Sequence, residues 1–512
     1  MPKRQTIKWY DVDKTVSGLE TDVIHELDVQ REAIPLVFVP GIMGTCLRRT
    51  GTDGTGKDDD GLPNLRWNPS KALWMLWNVS GTSGAERKAM LVGRRFNANY
   101  LEPHNSSPPG DGFAALMKDY CKKYLIPLKA HDWGPLGKIF EFPAYAVGYN
   151  WTDDAKSAGE KLADRITEII DEAKDVVGFC EKVIVITHSM GGLVSRSASE
   201  LAGASGSILG IVHGVQPVTG TPAAYWRIKA GFEGFGMTSR VLGNSGERVT
   251  PVLGNIPGGL ELLPNKLHLT NAGAHQWLTV TEDGAPTLAL PESDPYGEIY
   301  RVKAVVKPKA GETPSRNAYW GLVDPDLLDP GYVVPEDPNP YEQIDSAALS
   351  SDPWPGFLTT LDLAHDFHEA LGKDGHATMF CVSGVGHDTA DVIEMRVESN
   401  WVRSDPYPVR GFRGFFTNAE GKSMQAVLQD PVRDGDKGDG DGTVVRSSAQ
   451  KLDDPGKPAP GDRAVDVEHQ PAYENADVQT FAMDAIIALC KMRYEDRRHP
   501  LGDFPPSDAN TA

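Results

Sequence analysis

Short apolar runs closed by glycine or proline alternate with longer stretches whose apolar residues recur every three to four positions. Residues 34–39 (IPLVFV) stop at Pro40-Gly41, the form of a buried strand that ends in a turn. Residues 142–149, 182–187 and 208–215 are further strand candidates. Between them, residues 154–174 place Leu162, Ile166, Ile169, Ile170 and Ala173 on one helical stripe, and a second helical pattern runs from 190 to about 202. Strands alternating with helices predict an α/β fold, a mostly parallel sheet with helices on both faces.

The alternation breaks over residues 226–375, which are rich in glycine and proline and hold two Pro/Asp segments, 284–297 and 323–340. Trp277, Tyr300, Trp320, Trp354 and Leu358 are spread through this stretch, so it reads as an inserted cap rather than a disordered linker. Strand signal returns at 377–385, a Gly/Asp loop follows at 434–442, and a helix closes at about 475–493. The expected organisation is a polar lead-in (1–33), core (34–225), cap (226–375), core (376–495) and flexible tail (496–512). Gly/Asp- and Pro-rich loops are expected at 51–64 and 104–113.

Charge narrows the partners. Lys plus Arg number 51 against 71 Asp plus Glu, a net charge of −20 that opposes nucleic-acid binding. It gives no pull toward anionic lipid, so any peripheral membrane contact must be apolar or local. No apolar run reaches the 18 or so residues of a spanning helix, and no apolar stretch follows the basic N-terminus as in a secretory signal. Cys46, Cys121, Cys180, Cys381 and Cys490 include no CxxC pair, so neither a zinc site nor a disulfide framework is expected. A cytoplasmic chain with reduced thiols is expected.

Residues 183–192 (VIVITHSMGG) run from a buried strand through Ser189 into a helix, the setting of a nucleophile elbow. Gly191 and Gly192 supply small neighbours on the helix side. Thr187 replaces the usual glycine on the strand side. His188 adjoins the serine, but strand neighbours point to opposite faces, so it is expected to pack or hydrogen-bond rather than act as base. An acyl-transfer serine needs oxyanion donors, and the backbone N–H groups of Met190 and of Ile42, in the Gly-rich turn Val39–Thr45, are the candidates.

The acid and base should follow in the order Ser, Asp/Glu, His. Asp441, in the turn 439–445 (DGDGTVV), is the best acid. His469 lies 28 residues later, just before the last helix. His387 precedes Asp441, His499 lies beyond the final helix, and His365 and His368 fall on a helix in or beside the cap. These and His376 read as surface or core histidines. The Gly/Asp loop misses the EF-hand spacing, with Gly438 where the third acid should stand, so a solvated turn is expected and no metal or cofactor is called for.

Four segments carry a resemblance: VFVPGIMGT, ITHSMGGLVSR, GDGDGTVVRSS and the late His469. In order and spacing they are similar to lipid-acyl hydrolases of the lecithin:cholesterol acyltransferase and lysosomal phospholipase type. They also resemble bacterial hydrolases grouped with GPI inositol-deacylases, among them lipase effectors of type VI secretion. GYNW (148–151) and FCVSGVGHDT (380–389) resemble that group's flanking strand segments. The resemblance spans 34–50, 142–226 and 377–475. It implies an α/β-hydrolase fold with Ser189 as nucleophile, Asp441 as orienting acid, His469 as base, and Ile42 and Met190 as oxyanion donors. It implies hydrolysis of lipid-like acyl esters, with acyl transfer to an alcohol as the alternative through the same residues. Membership of the effector branch would add an immunity-protein partner and export through a type VI secretion system. A non-catalytic scaffold is the reading from another class, disfavoured because each expected part is present. Trp67, Trp74 and Trp77 are expected near the mouth of the site or in the core.

Overall fold

The computed structural model describes residues 3–8, 23–28, 31–45, 47–48, 65–67, 79, 81–92, 133, 136–232, 241–304, 319–330, 352–399, 413–417, 423–428, 437–449 and 463–498. The loops expected at 51–64 and 104–113, Trp74, Trp77, Cys46, Cys121, residues 331–340 of the second Pro/Asp segment, residues 434–436 and the tail from 499 lie outside these residues.

Six parallel strands form the central sheet: β1 (Leu36–Val39), β2 (Ala144–Ala146), β3 (Val183–His188), β4 (Ile208–Gly214), β5 (Met379–Val385) and β6 (Arg463–Asp466). They lie in the order β6-β5-β4-β3-β1-β2. The chain leaves β1 in one direction to reach β2, then crosses back to build β3 to β6 on the other side. That reversal opens a crevice at the carboxyl ends of β1 and β3, where open α/β sheets bind ligands.

Strand alternation explains why both faces are buried. Leu36, Phe38, Ile184 and Ile186 join one core with Phe481, Ile486 and Leu489 of the closing helix. Val37, Val39, Val183 and Val185 join the opposite core with Leu162, Ile166 and Ile169. The flanking helices are α1 (Ala155–Val177), α2 (Gly191–Arg196), α3 (Pro353–Leu371) and α4 (Ala476–Arg498). The Asp154 carboxylate caps α1 by accepting from Ser157 N at 2.7 Å, and Gly178, at φ +91°, ends it. The fold is a mostly parallel α/β sheet with helices on both faces, as the strand–helix alternation predicts.

The stretch from 226 onward packs into the α1-side core. Trp277 and Tyr300 are fully buried there, and Tyr225 meets Trp277 edge-on at 5.3 Å. Two staples join this stretch to the core. The buried Glu261 carboxylate accepts from Ala155 N, at the first turn of α1, through both oxygens at 2.9 and 3.0 Å. Burial pushes that carboxyl well above the usual carboxylate range. Arg196 of α2, also buried, donates to the carbonyls of Gly372 and Asp374 beyond the end of α3 at 2.9 and 2.8 Å.

Three features differ from the apolar pattern. β6 is an edge strand of four residues with only Val465 buried, too short and polar to signal itself. A second sheet orders Ala285–Leu290, Leu278–Glu282, Ile393–Glu398, Ser423–Leu428 and Arg413–Thr417 side by side. It draws strands from both sides of residue 375. Residues Lys437–Gly440 of the expected Gly/Asp loop are a strand antiparallel to His387–Ala390, not a free turn. Among the described residues no helix is long and apolar enough to cross a membrane, and no cluster of His, Cys, Asp or Glu could hold a metal.

Candidate active site

Ser189 follows β3 directly and sits at φ +51°, a left-handed conformation that a side chain with a β-carbon adopts at a cost of about 1–3 kcal/mol. The turn is over-determined. Ser189 N donates to Gly214 O of β4 at 2.9 Å, and Gly192 N closes onto Ser189 O at 2.9 Å. The next turn passes so near β1 that a β-carbon on Gly191 would stand 2.4 Å from Val39 O. Only glycine fits there. On the strand side Thr187 is accommodated because its hydroxyl meets Nδ1 of His213, its registered partner on β4, at 3.0 Å.

The structure brings Ser189, Asp441 and His469 together. His469 Nε2 lies 2.9 Å from Ser189 Oγ, and its Nδ1 lies 2.7 Å from Asp441 Oδ2. The remaining carboxylate oxygen, Oδ1, accepts from Thr443 N and Val444 N at 2.9 and 2.7 Å. Asp441 is therefore held at both oxygens and is 2% exposed. Because a carboxylate only accepts, Nδ1 of His469 carries the proton and Nε2 faces the serine as an acceptor. Gly384 makes room for the acid: a β-carbon there would come 2.4 Å from the Asp441 β-carbon.

His188 supports the same loop. It is buried, and its Nε2–H donates to the His469 carbonyl at 2.8 Å. Burial, then the neighbouring His469, push its pKa down to about 4, so the ring is neutral. Tyr473 OH donates to Thr187 O at 2.9 Å, tying the segment after His469 to the end of β3.

Ile42 and Met190 bracket the serine. Met190 is the next residue along the chain. Ile42 follows Gly41, where an added β-carbon would stand 3.0 Å from the Ser189 β-carbon. Met43 continues the turn at φ +63°. Trp67 fixes this turn by donating from Nε1 to Met43 O at 2.7 Å, and it meets Trp151 edge-on at 5.3 Å. Both rings line a small apolar cavity of about 20 Å³ with Met43, Phe232, Val252 and Leu253. Trp67 is thus both core and a neighbour of the site. A larger cavity of about 280 Å³, lined by Lys266, Tyr296, His368 and Glu369 among others, does not touch Ser189.

The other candidate histidines take no part. His387 pairs with Asp466 at 3.2 Å, His376 accepts from Thr378 N through Nδ1 at 3.1 Å, and His365 packs at a tilt against the Tyr296 ring. His368 is buried between Tyr296 and Glu261. His499 lies outside the described residues. Sequence reasoning did not single out Glu261, which belongs to no motif, or Arg196, which ends the segment ITHSMGGLVSR but acts through the distant carbonyls of Gly372 and Asp374.

Residues 141–221, which hold β2, α1, β3 and β4, match the family model described as "Putative serine esterase (DUF676)". No curated protein matches the chain. Among solved structures, lipase BlEst2 of Bacillus licheniformis in mature form is 15% identical over 44% of this chain and 56% of its own, with a TM-score of 0.20. Phospholipase PlaB from Legionella pneumophila is 10% identical over 65% and 79%, with a TM-score of 0.16. Both are too distant to bear on the fold. A chain of the Tle4–Tli4 complex is 20% identical over 90% of this chain and 99% of its own, with a TM-score of 0.61, and this chain shares its overall fold.

Proposed function

We propose that the protein is a serine ester hydrolase acting on lipid-like acyl esters. One observation carries the reading: a serine on a strained strand-to-helix turn meets a histidine whose other nitrogen is held by a buried carboxylate. In this mechanism Ser189 attacks the ester carbonyl while His469 Nε2 takes its proton. Asp441 holds the imidazole tautomer and stabilises the imidazolium. The N–H groups of Ile42 and Met190 receive the oxyanion, each such donor being worth about 2.7–4 kcal/mol. The alcohol leaves with the proton from His469, and water then releases the acyl group by the same route. The match of residues 141–221 to a serine esterase model supports the reaction class. The resemblance of the motif segments to lipid-acyl hydrolases supports the lipid substrate.

Labelling with a fluorophosphonate tests the reading. Adduct on Ser189 in the wild type, absent in Ser189→Ala and His469→Ala, is expected, with turnover in Ser189→Ala reduced by about 10⁶-fold. Near-normal ester hydrolysis by Ser189→Ala would sink it. Long-chain emulsions hydrolysed no faster than short soluble esters would remove the lipid part.

A second reading concerns biological role. The structurally similar chain was solved in the Tle4–Tli4 complex, and its fold covers 90% of the present chain. The protein would then be an antibacterial effector with a cognate immunity protein. Growth arrest on periplasmic expression of the wild type but not of Ser189→Ala is the expected result, and equal growth of the two speaks against the role.

A further inference from the structure

The cavity of about 280 Å³ that lies away from Ser189 has no part in the mechanism above. It opens between the loop 265–267, the turn 294–296 and the last turn of α3. Its size falls just below the roughly 300–1,000 Å³ of ligand pockets, so it suits a small molecule.

The hydrogen bonds of its walls leave donors over. Asn265 lines the cavity and is 6% exposed. Its Oδ1 accepts from Leu267 N at 2.9 Å, which fixes the amide and leaves Nδ2 with no partner among the described residues. Other unpartnered atoms, such as His213 Nε2 and Ser383 Oγ, line neither this cavity nor the smaller one. Asn265 Nδ2 is thus an unspent donor on the wall of an open space. Tyr296 OH is spent on His368 Nδ1, and His368 Nε2 on the Glu261 carbonyl. The acids at the rim are engaged as well. Asp294 accepts from Tyr296 N at 3.0 Å and from Gly297 N at 3.2 Å, one on each carboxylate oxygen. Glu369 pairs with Lys266 across the rim. Lys373 is exposed and pairs with no carboxylate among the described residues. The end of α3 would by itself oppose an anion, because the last carbonyls of a helix carry partial negative charge. Here the Arg196 guanidinium donates to the carbonyls of Gly372 and Asp374 and offsets it.

We propose that this cavity is a binding site for a small organic monocarboxylate. One carboxylate oxygen accepts from Asn265 Nδ2 and the other from Lys373 Nζ, and a short apolar chain lies against Leu267 and the Tyr296 ring. One uncompensated ammonium matches one negative charge. A phosphate monoester carries nearly two, and its excess charge would face Asp294 and Glu369. The site does not depend on what Ser189 does. Through Gly372 and Arg196 it rests against α2, the helix that starts two residues after the serine.

The test compares three ligands with one chain, hexanoate, hexyl phosphate and hexylammonium, by saturation-transfer NMR titration at constant ionic strength. The full-length protein is used as wild type, Asn265→Asp, Lys373→Gln and Ser189→Ala. Asn265→Asp keeps the acceptor for Leu267 N and replaces the free donor by an oxygen. The wild type is expected to bind hexanoate with a Kd of about 1 mM or tighter, hexyl phosphate more weakly and hexylammonium most weakly. Asn265→Asp and Lys373→Gln should each weaken hexanoate by about tenfold, the worth of a hydrogen bond to a charged group, and Ser189→Ala should leave it unchanged. No binding of hexanoate by the wild type, or equal binding of all three ligands, overturns the site. So does unchanged affinity in Lys373→Gln, whose exposed side chain can be replaced without disturbing the fold even where Asn265→Asp does not fold. Binding lost in Ser189→Ala would place the carboxylate at the catalytic serine and overturn it too. Hexyl phosphate bound more tightly than hexanoate overturns the choice of a carboxylate.

Discussion

Two histidines, the half-buried His469 and the buried His368, each stand between two oxygen-bearing groups, yet only one faces both a carboxylate and a serine. His469 faces the Asp441 carboxylate at 2.7 Å and the Ser189 hydroxyl at 2.9 Å. His368 accepts from Tyr296 OH at 2.8 Å and donates to the Glu261 carbonyl at 2.9 Å. A carboxylate can stabilise a cation formed on the ring, whereas a carbonyl and a phenol offer only dipoles. Burial accordingly pushes His368 down to about 4, which keeps it neutral. The backbone differs too. Ser189 is held at φ +51°, while Tyr296 lies in a helical turn. A histidine with two oxygen neighbours is therefore not in itself a reactive site. The charge and strain of those neighbours decide.

The largest effect is expected from removing the charge on Asp441. Asp441→Asn presents a donor to His469 Nδ1 and turns the wrong tautomer toward Ser189, so kcat for an ester should fall by about 10⁴-fold in a folded enzyme. A loss below about tenfold would make His469 no different in kind from His368.

Acid should act next, through the neutral rings. His368 and His188 are pushed down to about 4 and His213 to about 3, burial being the largest cause in each. Their unfolded forms take a proton near pH 6.5, so the folded chain binds fewer protons between that value and about 4. Stability is thus full above about pH 6.5 and lost as pH falls toward 4. The share of His368 is about 3 kcal/mol at most. Urea midpoints at pH 7 and pH 5 measure it, and His368→Gln should flatten the slope. Equal midpoints in the wild type would contradict the neutral assignment.

The smallest effect is expected from Tyr296→Phe, which takes away the donor to His368 Nδ1. A stability loss of about 1–3 kcal/mol is expected, read as a lower Tm, with kcat per folded molecule unchanged. A fall in kcat would link the two histidines.

The sequence is informative where one local pattern suffices. VIVITHSMGG is a strand, a turn and a helix start in ten residues, so the elbow is legible without tertiary knowledge. Asp441 and His469 are legible through chain order, and the structure places them 2.7 Å apart. β6 is not legible because RAVD buries one residue of four at a sheet edge. The second sheet escapes notice because Leu278–Glu282 takes Ile393–Glu398, more than 100 residues away, as its parallel partner.

The staple at Glu261 bears on how the protein could be trimmed. Deleting residues 226–375 to obtain a minimal esterase would strip Ala155 N of its acceptor and remove Trp277 and Tyr300 from the core they share with α1. It would also bare Ile393–Glu398 along the side now covered by Leu278–Glu282, an open edge that invites pairing between copies. A shortened gene should therefore yield insoluble protein rather than a smaller catalyst.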